Sequence, residues 1–174
     1  MCTLDELLNI NCEKNAAGLS AFYYAVQKDV LSIPAAVDGK VTTDITMESG
    51  TNFKKLEFVK DEAARMNIST QGPSKGKSWT SGVEFMHPKL RAELLVAMDK
   101  INNTDMIGIA VDTNGKKWIL GDLFDALEAV DPNEGSTGGK GGNDRNQMSI
   151  SLKVVSSLDP PYEYEGEIPL TPAA

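Results

Sequence analysis

Apolar and polar positions alternate along most of this chain, so strands are the elements it predicts first. Residues 18–27, GLSAFYYAVQ, follow a glycine and are rich in aromatic and β-favouring side chains, which predicts a strand. In 41–47, VTTDITM, Val41, Thr43, Ile45 and Met47 share one face at a period of two, which predicts another. In 53–59, FKKLEFV, Phe53 is out of phase with Leu56 and Phe58, so a bulge or loose start is expected. Ala64, Met66 and Ile68 alternate within 64–70, and Trp79, Ser81, Val83 and Phe85 within 77–85. Short polar or glycine-containing stretches separate these runs, as in an antiparallel meander. The last two runs predict one long hairpin over about 64–86. Gly72, Pro73 and Gly76 would turn the chain at its tip, and Lys75 and Lys77 would keep the tip soluble or meet an acidic neighbour.

A different period takes over next. In HPKLRAELLVAMDKI, Leu90, Leu94, Ala97, Met98 and Ile101 form one apolar stripe, and Pro88 suits a first helical turn because its missing N–H would be unpaired there. A helix over about 88–101, lying across a sheet face, is expected. MIGIAVDTNGKKWILG places Asn114-Gly115 between two apolar runs, a strong hairpin signal in which both central residues want positive φ. Residues 122–130, DLFDALEAV, read as a short helix or a strand, with a turn followed by a strand preferred. Residues 131–147 hold five glycines and no large apolar residue, and predict a mobile loop. Residues 148–155 alternate Met148, Ile150 and Leu152 and predict a strand, while 157–174 are acidic and proline-rich and predict an extended tail. The fold class is therefore mostly β: one domain over 1–174, an antiparallel sandwich or partly closed barrel of seven or eight strands with one packed helix. An arm at 1–17 and a tail at 157–174 flank it.

Composition narrows the function. The chain has 174 residues, 41% of them hydrophobic, enough for one core. A net charge of −8 argues against a general nucleic-acid binder, which needs a basic face. No run of apolar residues is long enough to cross a membrane as a helix, and the acidic N-terminus has no signal-peptide pattern, so a reducing cytoplasm is expected. The charge is uneven: nine basic and six acidic residues lie between Lys54 and Lys100, against eight and nineteen elsewhere. This is either a solvated surface with chance clustering or a pair of regions that attract each other between copies.

Chemical motifs are few. QGPSKGKSW, residues 71–79, resembles a phosphate-binding loop, but that loop needs four residues between its glycines and Gly72 and Gly76 enclose three. It must also open a helix, whereas Ser78 opens an alternating run. GGKGG at 138–142 lacks dinucleotide-binding spacing. Cys2 and Cys12 with the single His87 cannot complete a zinc site. His87 is expected at the helix entry, not as a catalytic base, and no G-x-S-x-G surrounds a serine. Asp61-Glu62 and the series Glu163, Glu165, Glu167 fit acid–base or cation-binding roles on type alone, but solvated charge is the simpler reading. No catalytic residue, cofactor or metal site is predicted, and no enzyme class emerges.

The order of elements resembles the tail-tube family of tailed bacteriophages and related virion ring proteins. The likeness rests on NAAGLSAFYYAVQKDV, on ARMNISTQGPSKGKSWTSGVEFMHPKL running into the helix, on IGIAVDTNGKKWILG, and on STGGKGGNDRNQMSISLKVV before a terminal strand and tail. It covers most of the chain. The resemblance implies a β-sandwich or barrel with a flanking helix, whose strands join those of neighbouring copies into a ring. Stacked rings would form a tube or a connector at the tail–head junction, in a virion assembled in the bacterial cytoplasm. It implies other tail or connector proteins as partners, no membrane, and DNA passing through an acidic lumen without specific binding. The long hairpin, with Gly72, Pro73, Lys75, Gly76 and Lys77 at its tip, and both terminal arms would reach neighbouring copies. From the residues alone, a monomeric β-sandwich module binding carbohydrate or protein, as in a fibre or adhesin, is the alternative. Aromatics are only 6%, and Tyr23, Tyr24 and Trp79 fall in strands where core packing explains them more simply.

Overall fold

The computed structural model describes residues 16–58, 64–136 and 146–172. In chain order the strands are β1 (Leu19–Val26), β2 (Val30–Ser32), β3 (Lys40–Val41), β4 (Thr46–Met47), β5 (Lys54–Leu56), β6 (Arg65–Gln71) and β7 (Ser78–Pro88). Helix α1 (Ala92–Ile101) follows, then β8 (Met106–Asp112), β9 (Lys117–Leu120), β10 (Glu134–Ser136), β11 (Gln147–Ser157) and β12 (Tyr162–Tyr164). With 48% strand and 9% helix the chain is mostly β and sandwich-like, and no sheet closes into a barrel.

Two main sheets form the layers. One has the order β3-β12-β9-β8-β1-β5, the other β10-β11-β7-β6, and β2 pairs with β4 beside them. Every pairing is antiparallel except β12 with β3. The six-stranded sheet is buried on both faces. That is why β8 begins with an unbroken apolar run, MIGIA, instead of alternating. Met106 and Ala110 enter the core shared with the four-stranded sheet, while Ile107 and Ile109 enter a second core on the far side. β1 divides in the same way, Phe22 and Tyr24 to the first core and Tyr23 and Ala25 to the second.

The first core is joined by ring contacts, Phe22 to Phe85 at 5.6 Å between centroids and Phe58 to Phe85 at 5.3 Å. Helix α1 adds Leu94, Met98 and Ile101 to it. The second core gathers Val30, Val41, Ile45, Met47, Phe53 and Tyr164. Consecutive residues stitch the sheets together: Leu127 bridges to Met106 of β8 and Glu128 to Lys153 of β11.

Several sequence expectations need correction. The described residues contain twelve strands, not seven or eight, because half of them are only two or three residues long. Residues 41–47 are not one strand: the chain bends after Val41, so Val41 lies in β3 and Met47 in β4, although Val41, Ile45 and Met47 are all buried. The helix begins at Ala92, not at Pro88. Pro88 ends β7, opposite Gln147. Beyond Glu84 that strand has no β6 partner, and a proline is tolerated at such a half-paired end. Lys89, at φ +60°, then turns the chain, so His87 is a strand residue and not a helix-entry residue. Ala97 of the apolar stripe is exposed. In the β8–β9 hairpin only Gly115 of the Asn-Gly pair has positive φ, because Asp112 and Lys116 close a three-residue turn around Thr113, Asn114 and Gly115. Residues 122–130 do form a turn followed by an extended segment, but that segment makes single bridges and not a full strand.

The segments at the two loops and ends also differ. Within the loop expected at 131–147, residues 134–136 form β10 against β11; residues 137–145 lie outside the described residues. The extended tail expected at 157–174, in solvent or on a neighbour, is instead built into the chain's own fold. β11 runs through Ser157, and β12 inserts between β3 and β9. Two of its carboxylates are paired across this insertion: Glu165 meets Lys40 at 2.7 Å, and Glu163 meets Lys116 at 3.3 Å. Most of the expected N-terminal arm, with Cys2 and Cys12, lies outside the described residues, as do Asp61 and Glu62.

Candidate functional site

The long hairpin forms as predicted. β6 and β7 pair from Arg65 opposite Glu84 to Gln71 opposite Ser78. Burial falls steadily along it. Ala64 is 5% exposed, Met66 is half-buried and Ile68 is 44% exposed, while on β7 Phe85, Val83 and Ser81 are buried and Trp79 is half-exposed. The apolar pattern of both strands thus fades toward the tip because the hairpin runs out past the core.

The tip brings together Gly72, Pro73, Lys75, Gly76 and Lys77, all exposed. Gly72 sits at φ +112°, and a Cβ there would lie 2.7 Å from the Gly76 carbonyl oxygen. Lys75 is left-handed at φ +65°, and the Gly76 amide donates to the Pro73 carbonyl at 3.1 Å, closing a turn. Below the turn the Gln71 amide side chain donates to the Thr80 hydroxyl at 2.8 Å. At the base Arg65 holds Glu84 through two nitrogens, at 2.9 and 2.6 Å. Neither Lys75 nor Lys77 has an ion-pair partner among the described residues. The tip leads from strand to strand, so the helix N-terminus that a phosphate cradle uses is not there.

Sequence reading missed the open edge of this hairpin. β6 ends the four-stranded sheet, with β7 on one side and nothing described on the other. From Met66 to Gln71 it carries no charge and no proline, the devices that usually blunt an edge. The other edges of the two main sheets are β3 with two residues, β5 with three and β10 with three. Among the described residues β6 is therefore the longest unpaired edge. Only the sheet order reveals this, since alternation alone does not distinguish an edge strand from a central one.

The remaining candidates have structural partners. His87 places Nδ1 3.0 Å from the carbonyl of Pro88. Tyr23 and Tyr24 pack against the two cores, and burial pushes the Tyr24 phenol up. Among the described residues no three His, Cys, Asp or Glu side chains converge as metal ligands, and no helix is long and apolar enough to cross a membrane. The chain matches no family model, no curated protein and no solved structure.

Proposed function

We propose that this chain is a structural subunit of a tailed-bacteriophage virion that assembles with copies of itself into the ring or stacked rings of a tail tube or tail ring. One observation carries the reading: a seven-residue open edge, β6, uncharged from Met66 to Gln71, on a hairpin that runs out beyond the core. Such an edge presents alternating unpaired N–H and C=O groups to another strand. The opposite edge of the same sheet, β10, offers a partner on the next copy, and a contact between two unlike edges propagates around a ring. A net charge of −8 suits a lumen through which DNA passes without specific binding. Other tail or connector proteins would meet the ring, and assembly would take place in the host cytoplasm; no catalysis, cofactor or metal enters the reading. Light scattering and negative-stain microscopy of the purified protein test it. Closed rings or tubes are expected, and a strictly monomeric species at high concentration contradicts it.

A further inference from the structure

A cleft of about 410 Å³ opens at one end of the sandwich. Its walls are apolar, with Pro34, Phe124, Pro160 and Tyr162 among them. Phe124 is 92% exposed, an unusual position for a phenylalanine unless something covers it. The floor includes Ser81 and Ser157, which are the two buried polar residues among the described ones. Asp122 and Asp159 supply the cleft's only charges, for no lysine or arginine lines it. Both carboxylates act on Tyr162: burial first, then Asp159, then Asp122 push its phenol up. The volume is within the range of specific ligand sites, and the lining calls for a cationic group on a body that packs against proline and aromatic rings.

The hairpin tip has that chemistry. Residues 71–80, QGPSKGKSWT, contain Pro73, Lys75 and Lys77 and no acidic residue, and Gln71 to Lys77 are exposed. Trp79 pairs with Ser157, so the tip and the cleft lie at the same end of the sandwich. Copies standing side by side in one orientation therefore bring the tip of one level with the cleft of the next.

We propose that this cleft receives the hairpin tip of a neighbouring copy, with Lys75 and Lys77 meeting Asp122 and Asp159 and Pro73 seated on the apolar wall. The proposal rests on the self-assembly reading above and names an acceptor site for it. Contact between a projecting loop on one face and a cleft on another is heterologous, as a ring requires. Its charge pairing sets register and speeds encounter.

The test titrates a synthetic peptide of residues 70–79, TQGPSKGKSW, into the full-length protein and follows amide chemical shifts. Shifts confined to the segments around residues 33–36, 121–124 and 157–162 are expected. Asp159→Lys should weaken the peptide about tenfold, as should replacing both peptide lysines by glutamate, and about 0.5 M salt should weaken it further. Asp159 is exposed and Phe124 nearly fully so, which makes Asp159→Lys and Phe124→Ser safe for folding. Peptide that moves none of the cleft signals, or that binds Asp159→Lys as well as wild type, overturns the proposal even if rings form. Peptide that binds the cleft of a chain that forms pairs or open rows but never closed rings upholds it while removing the ring reading, and a chain that stays monomeric at high concentration overturns both.

Discussion

Taking first the hydroxyl and then the ring from Tyr164 measures how firmly the C-terminal segment belongs to the fold. Tyr164 is 1% exposed and lies on β12 in the second core. Its hydroxyl donates to the Glu167 carbonyl at 2.6 Å and accepts from the Ile45 amide at 3.2 Å. Burial pushes the phenol up, so it remains a donor at neutral pH. Tyr164→Phe keeps the packing and leaves those two backbone groups unpaired, a cost of about 2 kcal/mol. Tyr164→Ala also empties a ring-sized space among Val41, Ile45, Phe53 and Ile119, and the total loss is about 4 kcal/mol. Urea unfolding reads both. With a slope of about 2 kcal/mol per molar, the midpoints fall by about 1 M and about 2 M. Leu158→Ser, at a side chain 84% exposed, is the control and should move the midpoint by about 0.2 M or less. If Tyr164→Ala moves it no further than that control, the placement of β12 as an integral strand is wrong.

Other consequences are open to test. Gly82→Ala should cost about 3 kcal/mol, because its Cβ would lie 2.5 Å from the Leu152 carbonyl oxygen and 3.2 Å from the Lys153 Cα, where backbone must move; an unchanged urea midpoint argues against that close approach. The hydrogen bond from Lys153 holds the Asp131 carboxyl below its ordinary value of 3.8, so its stabilising effect is present above that pH and is lost as the pH falls through the lowered value. Thermal melts of Asp131→Asn should therefore trail wild type at neutral pH and converge with it in strong acid, and a gap independent of pH contradicts the pairing. Replacing residues 72–77 by a two-residue Asn-Gly turn should leave the unfolding midpoint near wild type while impairing assembly seen by light scattering. Ser69→Lys, which puts a charge on the open edge, should leave the fold intact and hold the chain monomeric in a gel-filtration profile.

How far the sequence reaches is clear from particular residues. The hairpin at 64–86 was legible because Ala64, Met66 and Ile68 alternate against Ser81, Val83 and Phe85, and Gly72 sits where the turn demands a positive φ, although Lys75 and not Gly76 takes the other left-handed position. The tip residues were therefore brought together as expected. The open edge beside them was not legible, since it depends on which strand ends a sheet. Pro88 misled because the same missing N–H suits both a first helical turn and the end of a half-paired strand. The C-terminal segment misled more deeply. Prolines at 160 and 161 and a run of glutamates look like a solvated tail, yet Tyr164 is buried and Lys40 and Lys116 wait for those carboxylates more than a hundred and about fifty residues away. Local composition carries no trace of partners so distant. The cleft at Asp122 and Asp159 was invisible for the same reason, being assembled from four separate stretches of chain.

The claim at the centre of this account is that copies join through the outer edge of β6, and hydrogen exchange of its amides tests that most directly. Exchange is measured for residues 65–71 in dilute protein and again at concentrations where light scattering reports assembly. The outward amides of β6 should exchange rapidly in the dilute sample and become protected as assembly proceeds, with β7 protected throughout. Rings or tubes in which residues 65–71 exchange as fast as in the monomer would contradict it.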